Sequence, residues 1–162
     1  MELNTNKKTN YRWIVCGFLW VAVAVNYVDR TALSAATPII MKEFNIDGTE
    51  MGIIMAAFFW AYALLQVPMG YIADKFGQRI VYSIAVAWWS IAQMCIAVCS
   101  SLFGFVTARL FLGVGEAGSY PCNVGVVSKW FPKHERSRAT AIFDRASKFG
   151  NAFAMPVVVG LI

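Results

Sequence analysis

Charged residues are scarce in this sequence. They make up 14% of its 162 residues, whereas a soluble domain typically carries about 25%. Hydrophobic residues reach 59%, against roughly 45–50% in soluble proteins. The few charges fall mostly in short stretches between long apolar runs. This composition excludes an ordinary soluble domain and predicts an all-α polytopic membrane protein.

Histidine and cysteine are also scarce. The single histidine, His134, stands in a charged stretch, and the four cysteines stand in apolar runs. Their spacing matches neither a zinc site nor a disulfide framework, so we expect no metal and no cofactor. No nucleophile–base pair is apparent, which argues against an enzyme. The net charge of +5 is not gathered on a basic helix, so we expect no nucleic-acid partner.

The apolar runs have the length of membrane-spanning helices. A hydrocarbon core about 30 Å thick needs roughly 20 apolar residues per helix. After a tail at residues 1–12, we predict spans at residues 13–38, 51–73, 80–100, 102–127 and 138–162. The first run is too long for a signal peptide and carries charges in its outer part, so we expect a retained helix. The fifth ends without a flanking charge, which suggests a fragment of a longer polypeptide.

The basic residues predict the orientation in the membrane. Lys and Arg occur in the tail and in the second and fourth connections, whereas the first connection offers only Lys42 beside three acidic residues. Cytoplasmic loops of membrane proteins carry an excess of Lys and Arg. The N-terminus is therefore predicted to be cytoplasmic.

Four ionisable residues stand inside the predicted spans: Asp29 and Arg30 in the first, and Arg109 and Glu116 in the fourth. A charge facing lipid costs at least about 2.5–3.5 kcal/mol, and residues seven apart lie on nearly one helix face. We therefore expect these side chains to point into a shared polar cavity. The alternative is that Asp29–Arg30 and Arg109–Glu116 are ion pairs that only hold helices together.

This combination of residues suits the transport of an anion with a proton. Burial favours the neutral form of a carboxyl group and a nearby cation favours the ionised form. A carboxyl group between these influences can load and release a proton. Arginine offers a planar fork that matches a carboxylate. In the second span, Tyr62 and Gln66 share a face one turn apart, and Tyr62 either hydrogen-bonds a ligand or packs as an aromatic.

The connection after the second span carries a recognisable motif. Its residues Gly70-Tyr-Ile-Ala-Asp74-Lys75-Phe-Gly77-Gln-Arg79 resemble the signature loop between the second and third helices of the major facilitator superfamily. The glycines permit tight turns and close helix approach. In that family the loop helps to latch the cytoplasmic gate, so the resemblance implies a gating role for Gly70, Asp74, Lys75, Gly77 and Arg79.

Other stretches are similar to one branch of this family. Arg109-Leu-Phe-Leu-Gly113-Val-Gly115-Glu116 resembles the family's motif in the fourth helix. Asn26-Tyr27-Val-Asp29-Arg30 and Glu116-Ala-Gly-Ser-Tyr-Pro121 resemble the anion:cation symporters, which include bacterial galactonate, glucarate and hexuronate transporters. The resemblance implies the first five helices of the N-terminal six-helix half of a major facilitator fold.

The resemblance also implies a function: proton-coupled symport of small organic anions across a bacterial inner membrane. Partners would be the lipid bilayer, protons, the anion and the C-terminal half of the same polypeptide. Asp29 and Glu116 would carry protons. The substrate would bind to Arg30, Arg109, Tyr27 and Tyr62.

One stretch departs from a galactonate transporter. Asp144, Arg145, Ser147 and Lys148 stand where a largely uncharged segment is expected. Asp144 and Lys148 either form an i,i+4 pair or line a charged pocket for a dicarboxylate. Two other functions stay open: an anion antiporter or facilitator of the same fold, and a membrane scaffold or sensor subunit that transports nothing.

Overall fold

The computed structural model describes residues 11–161, apart from the side chains of residues 155, 157–159 and 161. Most of the predicted tail and Ile162 lie outside the described residues. Within the described range the chain forms helices and no strand. They are α1 (Tyr11–Phe44), α2 (Gly48–Phe76), α3 (Gln78–Ile96), α4 (Leu102–Glu116), α5 (Ser119–Trp130) and α6 (Lys133–Leu161).

The first two helices extend beyond the predicted apolar spans. α1 continues past Pro38 to Phe44, and α2 begins at Gly48 rather than at residue 51. The start of α2 is fixed by a capping box: the Asp47 side chain accepts from the Glu50 backbone N–H at 2.7 Å, and the Glu50 side chain accepts from the Asp47 backbone N–H at 3.0 Å. These reciprocal bonds satisfy two backbone donors without an apolar environment, so the helix begins before the apolar run does.

The predicted span at residues 102–127 is not one continuous helix. It comprises α4 and α5, which are separated by Ala117 and Gly118. Both separating residues keep helical dihedral angles. The interruption coincides with Pro121, which has no backbone N–H and cannot bond to the carbonyl four residues earlier. The structure therefore describes this span as two consecutive helical segments.

Three of the described helices, α1, α2 and α3, are long and apolar enough to cross a membrane. α4 and α5 have 15 and 12 residues, and each is too short to cross alone because about 20 residues are needed. α6 carries Asp144, Arg145 and Lys148 near its middle, which lowers its apolar character. Crossing by α4 with α5, and by α6, remains a prediction.

The helices pack in two groups that meet at the charged residues of α1 and α4. α1 packs mainly against α6, whereas α2 and α3 pack against α4. Gly113 on α4 lies so close to α2 that an added Cβ would sit 2.6 Å from the Phe58 carbonyl oxygen. Small residues allow such close helix contacts in membranes. This close packing brings the aromatic residues of α2 next to the charged residues of α1 and α4.

Candidate functional site

An ion pair between α1 and the end of α4 forms the centre of the candidate site. Arg30 donates from Nε to Oε2 of Glu116 at 2.7 Å. The Glu116 side chain is 0% exposed and the Arg30 side chain 19%. Removing one member of such a pair leaves the other charge buried without compensation. The two residues therefore form one electrostatic unit.

This pairing differs from the structural alternative that the sequence offered. Asp29 does not pair with Arg30, and Arg109 does not pair with Glu116, among the described ion pairs. Adjacent residues on a helix do not face each other. Residues seven apart are separated by about 10 Å along the helix axis. The partner of Arg30 is therefore supplied by another helix, 86 positions away in the sequence.

Three aromatic rings surround the Arg30 guanidinium. Its Cζ lies 5.1 Å from the ring centroid of Tyr27, 4.9 Å from Phe58 and 4.7 Å from Tyr62. Such cation–π contacts stabilise a partly desolvated arginine. Both predicted tyrosines, Tyr27 and Tyr62, therefore contact the ion pair. Phe58 is not a predicted site residue, because only the packing of α2 against α1 and α4 distinguishes it from other apolar residues.

Arg109 is a second cation in the same cluster. It is 4% exposed, lies 5.5 Å from the Phe58 ring centroid and is within electrostatic range of Glu116 and Arg30. Its Nε and Nη1 atoms, and Oε1 of Glu116, have no hydrogen-bond partner in the described part of the chain. Buried polar groups normally find partners. The cluster therefore keeps free hydrogen-bonding capacity for an anion or a proton.

Asp29 lies beside the cluster of Arg30, Arg109 and Glu116 rather than within it. It is partly exposed and lies within electrostatic range of Glu116. Within the described residues its carboxylate makes no ion pair. The structure thus brings Arg30, Arg109 and Glu116 together and places Asp29 beside them as an unpaired carboxylate.

A small cavity of about 30 Å³ adjoins Arg30, and Val23 and Phe143 form part of its lining. Polar residues from three helices line it together with Tyr27, Arg30 and Tyr62: Asn26, Ser119, Tyr120, Asn123 and Asp144. Asn26 belongs to the stretch Asn26-Tyr27-Val-Asp29-Arg30, which resembles the anion:cation symporters. Asn123 is not a predicted site residue, although an amide within an apolar run is a signal that sequence reasoning can use.

Two alternatives stand for Asp144 in the sequence: an i,i+4 pair with Lys148, and a charged pocket for a dicarboxylate. Asp144 lines the cavity and forms no ion pair with Lys148 among the described pairs. Asp144, Arg145 and Lys148 are all exposed, and of the three only Asp144 lines the cavity. The i,i+4 pair is therefore absent, and Asp144 belongs to the surroundings of Arg30.

The predicted gating loop is a one-residue link between α2 and α3. Gly77 has a φ of +93°, a conformation that favours glycine because it lacks a Cβ. Asp74 accepts a hydrogen bond from Gln78 Nε2 at 3.1 Å, and Gln78 Oε1 accepts one from Lys129 Nζ. This network, which we call the polar latch, consists of Asp74, Gln78 and Lys129 and joins α2, α3 and α5.

The other predicted loop residues stand outside the latch. Gly70 lies against Pro121, where an added Cβ would sit 3.5 Å from the proline Cβ. Lys75 lies 5.6 Å from the ring centroid of Phe76, and Arg79 is exposed. Gln78 and Lys129 were not predicted, since their contact depends on how α3 and α5 pack.

The start of α1 and the α5–α6 link lie at the same end of the bundle as the latch. Arg12 forms an ion pair with Glu135 at 3.0 Å. Arg136 donates to the carbonyl oxygens of Phe131 at 3.0 Å and Ser128 at 2.6 Å. The connections that are rich in basic residues are therefore gathered at one end.

With this geometry in place, comparisons with known proteins give a consistent result. Residues 19–162 match the family described as Major Facilitator Superfamily. The chain is 34% identical over 159 residues to a D-galactonate transporter of Escherichia coli O6:H1, covering 98% of the chain and 37% of that protein. It is 36% identical over 165 residues to a "Probable galactarate/D-glucarate transporter" of Escherichia coli K12, covering 94% and 36%. The chain thus spans about a third of the length of these curated relatives.

A solved structure has the same fold over most of the chain. It is the crystal structure of a bacterial homologue of the human lysosomal transporter Spinster, in an inward-facing and occupied conformation. The TM-score is 0.86 at 24% sequence identity, and the match covers 91% of this chain and 32% of that one. The match establishes the arrangement of the helices.

Proposed function

Because the chain belongs to the Major Facilitator Superfamily, we propose that the complete polypeptide is a secondary transporter that carries small organic anions together with protons. Relatives named as transporters of galactonate and of galactarate or glucarate support sugar acids as substrates. The observation that carries the proposal is the buried Arg30–Glu116 pair, with Arg109 beside it. Such expensive charges inside apolar helices are usually functional.

The anion and the proton are linked through Arg30. The carboxylate of an arriving substrate competes with Glu116 for the Arg30 guanidinium, which offers several donors in a fixed plane. When Arg30 turns to the substrate, Glu116 is left with an uncompensated charge in a fully buried position. Burying an unpaired charge is costly, so the carboxyl group takes up a proton. Anion binding and proton uptake therefore favour each other.

Arg109 and Asp29 complete the proposed cycle. Arg109 supplies unpaired donors beside Arg30 and so binds the substrate carboxylate together with Arg30. Asp29 is a second carboxyl group close to Glu116 and takes a second proton. Protonation of Asp29 and Glu116 and pairing of the substrate carboxylate with arginine neutralise the charges in the site. Closing the helices around the bound substrate then costs less free energy, because desolvating neutral groups costs less than desolvating ions.

The proposed location is a bacterial inner membrane with a cytoplasmic N-terminus. Lys129, Arg12 and Arg136 lie at the end of the bundle where the basic connections meet. Connections rich in Lys and Arg stay on the cytoplasmic side. The polar latch of Asp74, Gln78 and Lys129 then stands at the cytoplasmic end, where it stabilises one conformation of the gate.

The test is uptake of labelled galactonate, glucarate and glucuronate by the full-length polypeptide in vesicles with an imposed pH gradient. Gradient-driven uptake is expected in the parent and in Glu43→Gln, a control at an exposed position. Glu116→Gln and Asp29→Asn are expected to lose it. Each of these two substitutions should lower concentrative uptake at least tenfold, while exchange of labelled for unlabelled substrate across the membrane persists.

Three results would contradict the proposal in different ways. Full gradient-driven accumulation by both carboxyl variants would remove these residues from proton coupling. Net uptake that a protonophore leaves unchanged would favour an antiporter or facilitator. No uptake of any organic anion would favour a scaffold or sensor subunit.

A further inference from the structure

The cavity beside Arg30 contains two buried amides with unused hydrogen-bonding atoms. Asn26 is 3% exposed and Asn123 is 1% exposed. Nδ2 of Asn26, and both Nδ2 and Oδ1 of Asn123, have no partner in the described part of the chain. Leaving a buried donor or acceptor unpaired is unfavourable, and here three such atoms occur in two residues that line one cavity. A guest that both donates and accepts hydrogen bonds fits this environment.

The size of the cavity restricts the guest. Its volume is about 30 Å³, and a water-sized group needs roughly 10–15 Å³ of such space. One or two hydroxyl groups or water molecules therefore fit, whereas a carboxylate with its own hydration does not. A hydroxyl group matches the amides because it donates one hydrogen bond and accepts two.

Asp144, an exposed residue that also lines this cavity, adds an acceptor and a negative charge on the side open to solvent. An ionised carboxylate accepts hydrogen bonds and donates none, so it binds hydroxyl groups and repels other carboxylates. No described residue forms an ion pair with it, and Arg30, the cation of the cavity lining, is bonded to Glu116. A substrate with one carboxylate at Arg30 and hydroxyl groups toward Asp144 suits this arrangement, but a second carboxylate does not.

We propose that Asn26, Asn123 and Asp144 form a hydroxyl-binding subsite that selects polyhydroxy monocarboxylates over dicarboxylates. The proposal rests on the proposed transport function and narrows its substrate class. The hydroxyl group next to the substrate carboxylate, or the one after it, enters the cavity while Arg30 holds the carboxylate.

The experiment measures uptake of a labelled hexonate by the full-length polypeptide, with competition by its 2-deoxy and 3-deoxy analogues and by a hexarate. A site built to bond a hydroxyl group rejects an analogue that lacks it. The parent should therefore bind at least one deoxy analogue about tenfold more weakly than the hexonate, because the buried amide is left without its partner. Asn123→Ala should lose this discrimination, and Asp144→Asn should improve competition by the hexarate about tenfold relative to the hexonate, because it removes the repelling charge.

Controls separate the possible outcomes. Gln93→Ala removes a partly buried amide outside the cavity and should leave every ratio unchanged. Asn123→Ser serves if Asn123→Ala fails to fold, and it should keep part of the discrimination. Transport with equal ratios in the parent and both subsite variants would mean that the cavity holds structural water only, which overturns the inference alone. Failure of the parent to transport any of these anions would overturn the proposed function as well.

Discussion

The Arg30–Glu116 pair yields a prediction about stability that does not depend on the substrate. Arg30→Met leaves the Glu116 carboxylate fully buried without its hydrogen-bonded cation. Breaking a buried pair from one side costs about 3–5 kcal/mol, and Arg109 nearby places the expected loss at the lower end. Glu116→Gln should cost less, because the Arg30 guanidinium keeps three aromatic contacts and some exposure to solvent.

The double variant Arg30→Met/Glu116→Gln carries no unpaired charge at this position. Replacing a buried ion pair by neutral groups is often close to neutral for stability. The double variant should therefore be at least about 2 kcal/mol more stable than the sum of the two single losses predicts. The measurement is the free energy of unfolding of the full-length polypeptide in detergent micelles, followed by tryptophan fluorescence.

The chain supplies a matched control pair. Arg12 and Glu135 also form an ion pair, at 3.0 Å, with both side chains partly open to solvent. Water and salt weaken such pairs, so the same cycle there should give a coupling of about 1 kcal/mol or less. Strictly additive losses at Arg30 and Glu116, or equal coupling in the two cycles, would refute the argument that burial of Glu116 makes this pair a single unit.

Two further predictions concern packing and orientation. Gly113→Ala should destabilise the full-length polypeptide by about 1–3 kcal/mol, because the new Cβ would meet α2 backbone at 2.6 Å. Gly17→Ala, with nothing within 4 Å of the new Cβ, is the control, and an equal loss there would contradict the explanation. In intact cells, a membrane-impermeant maleimide should label Thr49→Cys but not Lys133→Cys, because the basic connections lie inside. The reverse pattern would invert the proposed topology.

Much of the fold could be predicted from the sequence, because the membrane imposes a strong constraint on composition. Backbone polar groups must be satisfied within each span, so long apolar runs become helices whatever their neighbours are. The family fold, which the comparisons confirm, follows from motifs that are local in the chain, such as the stretch from Gly70 to Arg79. Local chemistry also explains two helix boundaries that apolar composition does not predict. They are the start of α2 at the Asp47 capping box and the interruption before Pro121.

The candidate site was predictable in its residue types but not in its contacts. The cost of a charge in lipid marked Asp29, Arg30, Arg109 and Glu116 from the sequence alone. That Arg30 pairs with Glu116 rather than with Asp29 depends on which helices become neighbours.

The same reasoning applies to the groups that sequence analysis missed. Phe58 contacts both arginines, Asn123 lines the cavity, and Gln78 joins the latch. An amide in an apolar run is a signal, but the local sequence does not show which groups any of these side chains contacts. The sequence by itself determined which side chains are unfavourable in lipid, since that free energy depends only on the side chain and on the apolar span in which it stands. Only the tertiary structure decided which groups share a cavity, because hydrogen bonds and ion pairs act over a few ångströms between helices far apart in the chain.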